Sequence, residues 1–278
     1  MEKAKRLRLF KKIFIDIKGI RIQGATNRAK AALRAYCLIP AEKTKKILLS
    51  LRPTEPMLSH VLELADKMPK QKILRHFADS QEKINKIIFK LIKNNYRIFT
   101  HCHSTNVVKS LIYAKKKGKH FEVYNTETRP LYQGRKTAKE LAKAGIKVTM
   151  IADNAVGDAL EKGGTIKKVD AFIIGADALL RNGDVINKIG SNMFAEIAYD
   201  KKVPVYVIAD SWKFSRRTVK IEERAHKEVW KNAPKRIKIL NPAFETVRAK
   251  YINAIVSELG ILKPMAFAKK AMAKKRML

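Results

Sequence analysis

A cysteine between two histidines stands where a buried strand is predicted to give way to a helix. Residues 100–105 read Thr-His-Cys-His-Ser-Thr, and Ser104 and Thr105 are residue types that favour the start of a helix. The first amides of a helix present free N–H donors and partial positive charge, so the pKa of the Cys102 thiol can be lowered there. Cys102 is then a candidate base or nucleophile. The alternative is a buried cysteine that packs as a small apolar side chain.

The two histidines around this cysteine do not form a convincing metal site. In an extended segment His101 and His103 share one face, whereas Cys102 points to the other. Neither a Walker loop nor a GxGxxG pattern is present, which argues against an ATPase or a dinucleotide enzyme. These residues therefore indicate neither a metal site nor a dinucleotide cofactor.

A carboxylate ends a second predicted buried strand. Asp177 follows an apolar run and has Ile174, Leu179 and Leu180 nearby in the sequence. Apolar surroundings raise the pKa of a carboxyl, so Asp177 can serve as a general acid near neutral pH. The alternative is an aspartate that begins a turn, as many do at strand ends.

A third group combines an amide, an ammonium and a predicted helix start. Asn187 and Lys188 follow an Asn-Gly-Asp turn at 182–184 and precede Gly190 and a helix predicted from residue 191. Together they can form a cradle for an oxyanion or a phosphate.

Composition indicates a folded protein without a membrane segment. The chain has 278 residues, 46% of them hydrophobic, which is enough for one large or two ordinary domains. No run approaches the roughly 18 apolar residues of a membrane helix, and residues 1–6 lack the apolar core of a signal peptide. We expect a cytoplasmic protein. Cys37 and Cys102 are too few and too far apart for a disulfide framework, so free thiols are expected.

The charge is strongly basic: 60 Lys and Arg against 25 Asp and Glu give a formal net charge of +35. Such a field attracts polyanions, so nucleic acid, nucleotides and phosphorylated metabolites are all candidate partners. Basic residues are spread along the chain. They can reflect a general preference for lysine on solvated surfaces, or they can form a surface that binds nucleic acid. The basic segment 263–278 offers Phe267 as its one aromatic residue for stacking on bases, which does not favour nucleic acid.

The elements that position these residues follow two kinds of sequence pattern, one in residues 1–95 and another from residue 96. Helical periodicity with proline breaks dominates residues 1–95 and predicts a helical N-terminal domain. Helices are expected at 5–17, 41–51 and 71–94. A further helix should be capped by Thr26 and end before Pro40, and another should start at Pro56.

From residue 96 the pattern alternates between β-rich and helical runs. This alternation predicts an α/β fold, with a Rossmann-like, doubly wound, mostly parallel sheet over 96–262 and a basic, partly frayed tail over 263–278. Strands are expected at 97–101, 121–125, 147–151, 169–174, 204–208 and 236–240. Helices are expected at 105–117, 136–144, 154–161, 191–201 and 248–259, with Gly118, Gly145 and Gly260 as terminators.

As a set, these motifs resemble one known family. It joins archaeal ribose 1,5-bisphosphate isomerase, methylthioribose-1-phosphate isomerase and the alpha, beta and delta regulatory subunits of eukaryotic translation initiation factor 2B. The motifs lie at 52–54, 100–104, 126–134, 175–177, 182–184, 187–190, 211–214 and 241–244.

The resemblance implies an aldose–ketose isomerase. The isomerases of this family use the cysteine and the aspartate as an acid/base pair, which the regulatory subunits generally lack, so Cys102 is the implied base and Asp177 the implied acid. The contexts of 52–54 and 126–130 are similar to the enzyme that converts ribose 1,5-bisphosphate into ribulose 1,5-bisphosphate. The alternative is a non-catalytic regulatory subunit that binds a nucleotide or sugar phosphate.

The resemblance also implies a substrate-binding set and an assembly. Gln23 stands where the isomerase has an arginine, so one phosphate-binding charge is missing, and His103 stands where asparagine is commoner. A homo-dimer or homo-hexamer is implied. The implied substrate-binding residues are Gln23, Gly24, Ala25, Thr26, Arg52, Ser104, Thr105, Asn106, Asn187, Lys188 and Lys213.

Overall fold

The computed structural model describes residues 2–161, 164 and 168–276. Five helices form the first part of the chain, as predicted, and α4 begins at Pro56, whose fixed φ suits a first helical position. Thr26 is not a cap, because the second helix already begins at Ala25, after Gly24 with a φ of 87°. These helices are α1 (Glu2–Lys18), α2 (Ala25–Leu38), α3 (Glu42–Ser50), α4 (Pro56–Leu64) and α5 (Lys70–Leu91).

Strands and helices then alternate, which confirms the predicted α/β class. In chain order they are β1 (Tyr96–Thr100), α6 (Thr105–Lys116), β2 (Phe121–Thr126), α7 (Gln133–Lys143), β3 (Lys147–Ile151), α8 (Val156–Leu160), β4 (Ala171–Ile174), β5 (Ala178–Leu179), β6 (Val185–Lys188), α9 (Ser191–Asp200), β7 (Val205–Ile208), β8 (Phe244–Val247), β9 (Ala254–Ser257), β10 (Gly260–Leu262) and α10 (Pro264–Arg276).

Seven strands form the main sheet in the order β10-β9-β7-β4-β1-β2-β3. All neighbours are parallel except β10, which is antiparallel to β9. The chain runs outward from β1 to β2 and β3 on one side, and to β4, β7 and β9 on the other. In such a sheet the crevice lies at the carboxyl ends of the two strands where the order reverses, here β1 and β4.

Apolar side chains cover both faces of this sheet. One layer joins Ile84 and Ile88 of α5 with Leu111 of α6 and the strand residues Ile98 and Val123. Helix α5 therefore packs on the sheet itself, and the division between 1–95 and 96–262 stays a prediction. The opposite layer contains the buried rings of Phe99, Phe172, Phe194, Phe214 and Phe267.

A small antiparallel sheet, β5-β6-β8, was not predicted. Its strands have two to four residues, too short to produce a clear period. It matters because Asn187 and Lys188 lie in β6, opposite Glu245 and Phe244 of β8.

Two predictions near the C-terminus are wrong. The alternating run 236–240 is not a strand, and its apolar residues Ile237 and Leu240 are 47% and 67% exposed, without a neighbouring strand. The segment 248–259 contains β9 rather than a helix, because strands buried on both faces read as continuous apolar runs. Gly260 accordingly opens β10 instead of ending a helix.

The prediction of a partly frayed tail at 263–278 is also wrong for the residues that the structure describes, which end at 276. Residues Pro264–Arg276 form α10, and Phe267, Ala268 and Ala271 are buried. The Phe267 ring lies 6.4 Å from that of Phe214, edge to face. Frequent lysines hid this apolar face in the sequence.

Candidate active site

The site residues singled out in the sequence surround one cavity at the crevice between β1 and β4. The cavity measures about 750 Å³ with its open mouth included. Its walls come from the start of α2, the segment before α4, the ends of β1 and β4, and β6. The predicted residues that line it are Gln23, Gly24, Ala25, Thr26, Arg52, Cys102, Ser104, Thr105, Asn106, Asp177, Asn187, Lys188 and Lys213.

Cys102 has an unusual backbone that neighbouring hydroxyls hold in place. Its φ is 65°, a left-handed conformation that a non-glycine residue adopts at a cost. Its amide donates to the Thr128 hydroxyl at 3.0 Å, and its carbonyl accepts from the Thr137 hydroxyl at 2.8 Å. The loop after β2 and the first turns of α7 therefore fix the turn that presents the thiol.

His101 connects this turn to the segment before α9. Its Nε2 lies 2.9 Å from the carbonyl of Ile189, and because a carbonyl only accepts, Nε2 carries the proton. Nδ1 then accepts from the Thr126 hydroxyl at 2.6 Å. The Thr126 and Thr128 hydroxyls are 3.3 Å apart, so a chain of hydrogen bonds leads to the Cys102 amide. With both ring nitrogens engaged, His101 acts as a scaffold.

The pKa of Cys102 departs from the sequence prediction. Removal of the thiol from bulk water raises its pKa to about 11, and the charge of Asp177 adds to the increase. Lys188 acts in the opposite direction but does not outweigh desolvation. The expected lowering by the start of α6 is therefore wrong for the protein without substrate, in which Cys102 is a thiol.

Asp177 lies at the end of β4, and its backbone joins the small sheet. Its amide donates to the carbonyl of Ile186 at 2.8 Å. Burial raises the pKa of the carboxyl, the direction predicted from the sequence, although Arg28 and Lys213 favour the charged form. The arrangement keeps a carboxyl at the cavity wall as a potential proton donor.

Two close approaches bring separate segments to the cavity. A Cβ on Gly175 would lie 2.4 Å from the Ser104 hydroxyl oxygen, so a side chain at 175 has no room. A Cβ on Gly24 would lie 2.9 Å from the Thr105 hydroxyl oxygen, and φ at Gly24 is positive. The start of α2 and the end of β4 thus both pack against the start of α6.

The three basic residues predicted for the site reach the cavity in different ways. Arg52 is buried and paired with Glu55 at 2.7 Å and Glu222 at 3.0 Å. The ammonium of Lys213 donates to the carbonyl of Ala176 at 2.6 Å, and burial lowers its pKa. Lys188 extends from β6 and is 5% exposed. An anion that enters the cavity would therefore meet several positively charged side chains.

Several buried polar atoms at the cavity have no hydrogen-bond partner among the described residues. They are the side-chain oxygens of Gln23, Thr105, Asn106 and Gln133. Buried polar groups in proteins are nearly always satisfied, so these oxygens are suited to hydroxyls of a bound molecule. The amide nitrogen of Asn106 already donates to the Gln81 side chain at 2.9 Å, so only its side-chain oxygen is left without a partner in the described part of the chain.

The cavity residues that were absent from the predicted site include Arg28, Gln133, Arg224 and Glu228. Gln133 belonged to a motif already noted, so its position after the Thr-Glu-Thr-Arg-Pro loop was a usable signal. Arg28 gave no signal, because its partners Glu55 and Asp177 lie 27 and 149 positions away. Arg224 pairs with Glu222 at 3.0 Å and with Glu228, both nearby in the sequence, but this segment carries none of the motifs singled out above.

A separate cluster of His76, Asp210 and Glu258 stabilises the segment that carries Lys213. Asp210 accepts from the Trp212 amide at 2.8 Å, and Glu258 accepts from the Ser211 amide at 3.0 Å. The His76 ring stacks on that of Trp212 at 3.5 Å. These contacts tie α5 to the carboxyl ends of β7 and β9.

Comparison with known proteins gives consistent matches over most of the chain. A model of the initiation factor 2 subunit family matches residues 42–264. Ribose 1,5-bisphosphate isomerase of Methanocaldococcus jannaschii is 36% identical over 295 residues, covering 94% of each chain. Methylthioribose-1-phosphate isomerase of Fervidobacterium nodosum is 30% identical over 310 residues, covering 92% of this chain and 86% of that protein.

A solved structure shares the fold described above. The structure of translation initiation factor eIF-2B from Pyrococcus horikoshii OT3 has a TM-score of 0.79 and 25% identity, covering 92% of this chain and 97% of that one. No helix in the described part of the chain has both the length and the apolar character to cross a membrane.

Proposed function

The chain belongs to the initiation factor 2 subunit family, and from that membership we propose that it is an aldose–ketose isomerase that converts ribose 1,5-bisphosphate into ribulose 1,5-bisphosphate. The resemblance predicted from the motifs is confirmed by the family match and the isomerase relatives. One observation carries the catalytic proposal: Cys102 and Asp177 line the same cavity, where the charge of Asp177 helps to raise the pKa of the Cys102 thiol.

The reaction requires an acid that protonates the ring oxygen and a base that removes the proton from C2. A phosphate on C1 prevents the free ring opening of an aldose, so Asp177 protonates the ring oxygen as the bond from C1 to that oxygen breaks. The Cys102 thiolate removes the C2 proton, and the C2–H electrons form a C1–C2 double bond. Cys102 returns this proton to C1, C2 becomes a carbonyl, and the proton of the C2 hydroxyl restores the Asp177 carboxyl.

The remaining cavity residues would bind and orient the substrate. Arg52, Lys188 and Lys213 supply positive charge for phosphates, and the amides at the start of the twelve-residue helix α6 add donors. Gly24, Ala25, Thr26 and Asn187 complete the walls. The partnerless oxygens of Gln23, Thr105 and Gln133 are placed to accept from sugar hydroxyls.

The test is direct: incubate purified protein with ribose 1,5-bisphosphate and measure ribulose 1,5-bisphosphate by coupled carboxylation. We expect turnover that depends on Cys102. A parallel incubation with methylthioribose 1-phosphate checks the substrate of the other isomerase relatives. No turnover of ribose 1,5-bisphosphate by folded protein would reject the proposal.

The second candidate is a non-catalytic regulatory subunit. It is favoured by the likeness to the Pyrococcus horikoshii eIF-2B structure and by the +35 charge. A filter-binding titration with RNA at two salt concentrations separates the two: tight binding at physiological salt, without isomerase activity, would favour the regulatory role.

Assembly and location are further parts of this proposal. The tetrameric eIF2B-beta2-delta2 complex from C. thermophilum has a similar fold, and we propose that this chain forms a homo-dimer or homo-hexamer. Two free cysteines, Cys37 and Cys102, support a cytoplasmic location. Light scattering of the purified protein measures the assembly.

A further inference from the structure

Arg28 is a buried arginine at the cavity that the mechanism above does not use. It lies in the first turn of α2, where its amide donates to the carbonyl of Gly24 at 3.0 Å. The residue is only 5% exposed. Its Nη2 lies 3.4 Å from a carboxyl oxygen of Asp177, at the opposite wall of the cavity.

Glu55 holds this guanidinium from behind. The Glu55 side chain is fully buried and lies 2.7 Å from Arg28 Nε and 2.7 Å from Arg52 Nε. A buried carboxylate shared by two guanidinium groups is fully satisfied and fixes both. Arg28 Nε is bound to Glu55, and Nη2 faces Asp177.

We propose that Arg28 is a positioning residue for the acid: it orients the Asp177 carboxyl toward the substrate and stabilises the carboxylate left after proton donation. This inference rests on the proposed isomerase function. The step needs such a partner, because loss of the proton creates a negative charge in a site removed from water.

Glu55 limits how strongly Arg28 stabilises the Asp177 carboxylate. The charged groups that act on Asp177 are Arg28 of α2, Arg52 and Glu55 of the segment before α4, and Lys213 after β7; the charge of Asp177 also acts on Cys102 after β1. The cations favour the carboxylate, and Arg28 is the strongest of them, whereas Glu55 favours the neutral acid. Burial is the main reason that Asp177 can still hold a proton to donate, and Glu55 adds to it by offsetting the arginines.

The contact predicts titration shifts of opposite sign. Removing the cation in Arg28→Met should raise the pKa of Asp177 by about one unit or more, and removing the anion in Glu55→Gln should lower it. General damage to the fold would not move the pKa in two directions. Arg28→Lys keeps the charge without the forked geometry and should stay closer to the wild type.

The experiment follows the Asp177 carboxyl by infrared difference spectroscopy against Asp177→Asn, in protein without substrate, over a pH series. Arg21→Met, at an exposed arginine, is the matched control and should leave the titration unchanged. Near-ultraviolet circular dichroism checks folding. If Arg28→Met does not fold, the Asp177 titrations of Arg28→Lys and Glu55→Gln still test the proposal.

Kinetics add a second readout. With ribose 1,5-bisphosphate, Arg28→Met should lower kcat about tenfold or more while KM stays within about threefold. A large rise in KM with unchanged kcat would make Arg28 a phosphate ligand and overturn the inference. An unmoved Asp177 titration in an active enzyme would also overturn it. Absence of all turnover rejects the proposed function, whereas the titration tests the Arg28 contact independently.

Discussion

The backbone amide of Cys102 donates a 3.0 Å hydrogen bond to the hydroxyl of Thr128, 26 residues along the chain. This contact joins the turns that follow β1 and β2. It holds Cys102 at a positive φ and thereby sets the direction of the thiol. The carboxyl ends of two neighbouring strands are thus locked together at the proposed base.

We expect Thr128→Val to reduce kcat about tenfold with little change in KM, because it leaves the Cys102 amide without its partner while keeping the side-chain shape. Steady-state kinetics measure this. Thr149→Val, at an exposed position of β3, is the control and should be silent. Equal activity of both variants would mean that the turn does not need this bond.

The proposed acid/base pair predicts two large and non-additive losses. Cys102→Ser and Asp177→Asn should each reduce kcat about a thousandfold or more, because each removes one half of a coupled proton transfer. The double variant should be no slower than about the worse single variant. Substrate binding, measured by calorimetry, should persist. Losses that multiply would show that the two residues act independently.

The pH profile should extend to unusually alkaline values. Turnover needs Cys102 as a thiolate and Asp177 protonated, yet the thiol pKa is about 11, and carboxyl groups ordinarily lose their proton at far lower pH than thiols. Between the two pKa values the required combination is a small but constant fraction. Hence kcat/KM should rise through the pKa of Asp177, stay level, and fall only toward pH 11. A decline that begins near pH 8 would contradict this assignment.

Lys188→Ala should raise KM for ribose 1,5-bisphosphate about tenfold or more, because it removes an ammonium proposed to face a phosphate. Lys139→Ala, an exposed lysine of α7, is the matched control. Lys188→Arg should recover part of the affinity. An unchanged KM in Lys188→Ala would remove this lysine from the phosphate site.

Stability should fall on mild acidification. Burial lowers the pKa of both His101 and His103 to about 4, so the unfolded chain binds more protons than the native state below about pH 6.5. The free energy of unfolding should therefore decrease from pH 7 to pH 5, by about 2 kcal/mol for His101 alone. Urea titrations at both pH values measure the decrease.

Substituting His101 by Asn should make this decrease smaller, whatever its effect on absolute stability. His120→Asn, at an exposed position, serves as the control and should retain the wild-type decrease. An unchanged pH dependence in the His101 variant would place the acid sensitivity elsewhere.

The sequence predicted the elements whose signals are local. The strand and helix periods from β1 to β3 are clear, and Ser104 accepts from the Val107 amide at the predicted start of α6. The features that the sequence could not predict depend on contacts between residues that are distant along the chain or on burial. Burial outweighs the helix start in setting the Cys102 pKa, and the contact of Arg28 with Asp177 spans 149 positions. The strand β9 was hidden because burial on both faces erases its alternation.

The close packing of Gly175 against Ser104 has an evolutionary consequence. Because a Cβ at 175 would collide with both side-chain atoms of Ser104, the two positions cannot drift separately. Alanine at 175 becomes tolerable only in a lineage that has already replaced Ser104 by glycine, which would cost the cap of α6. The order of such substitutions is therefore constrained, and a descendant that loses the turn after β1 would be expected to lose the Gly-Ala-Asp turn with it.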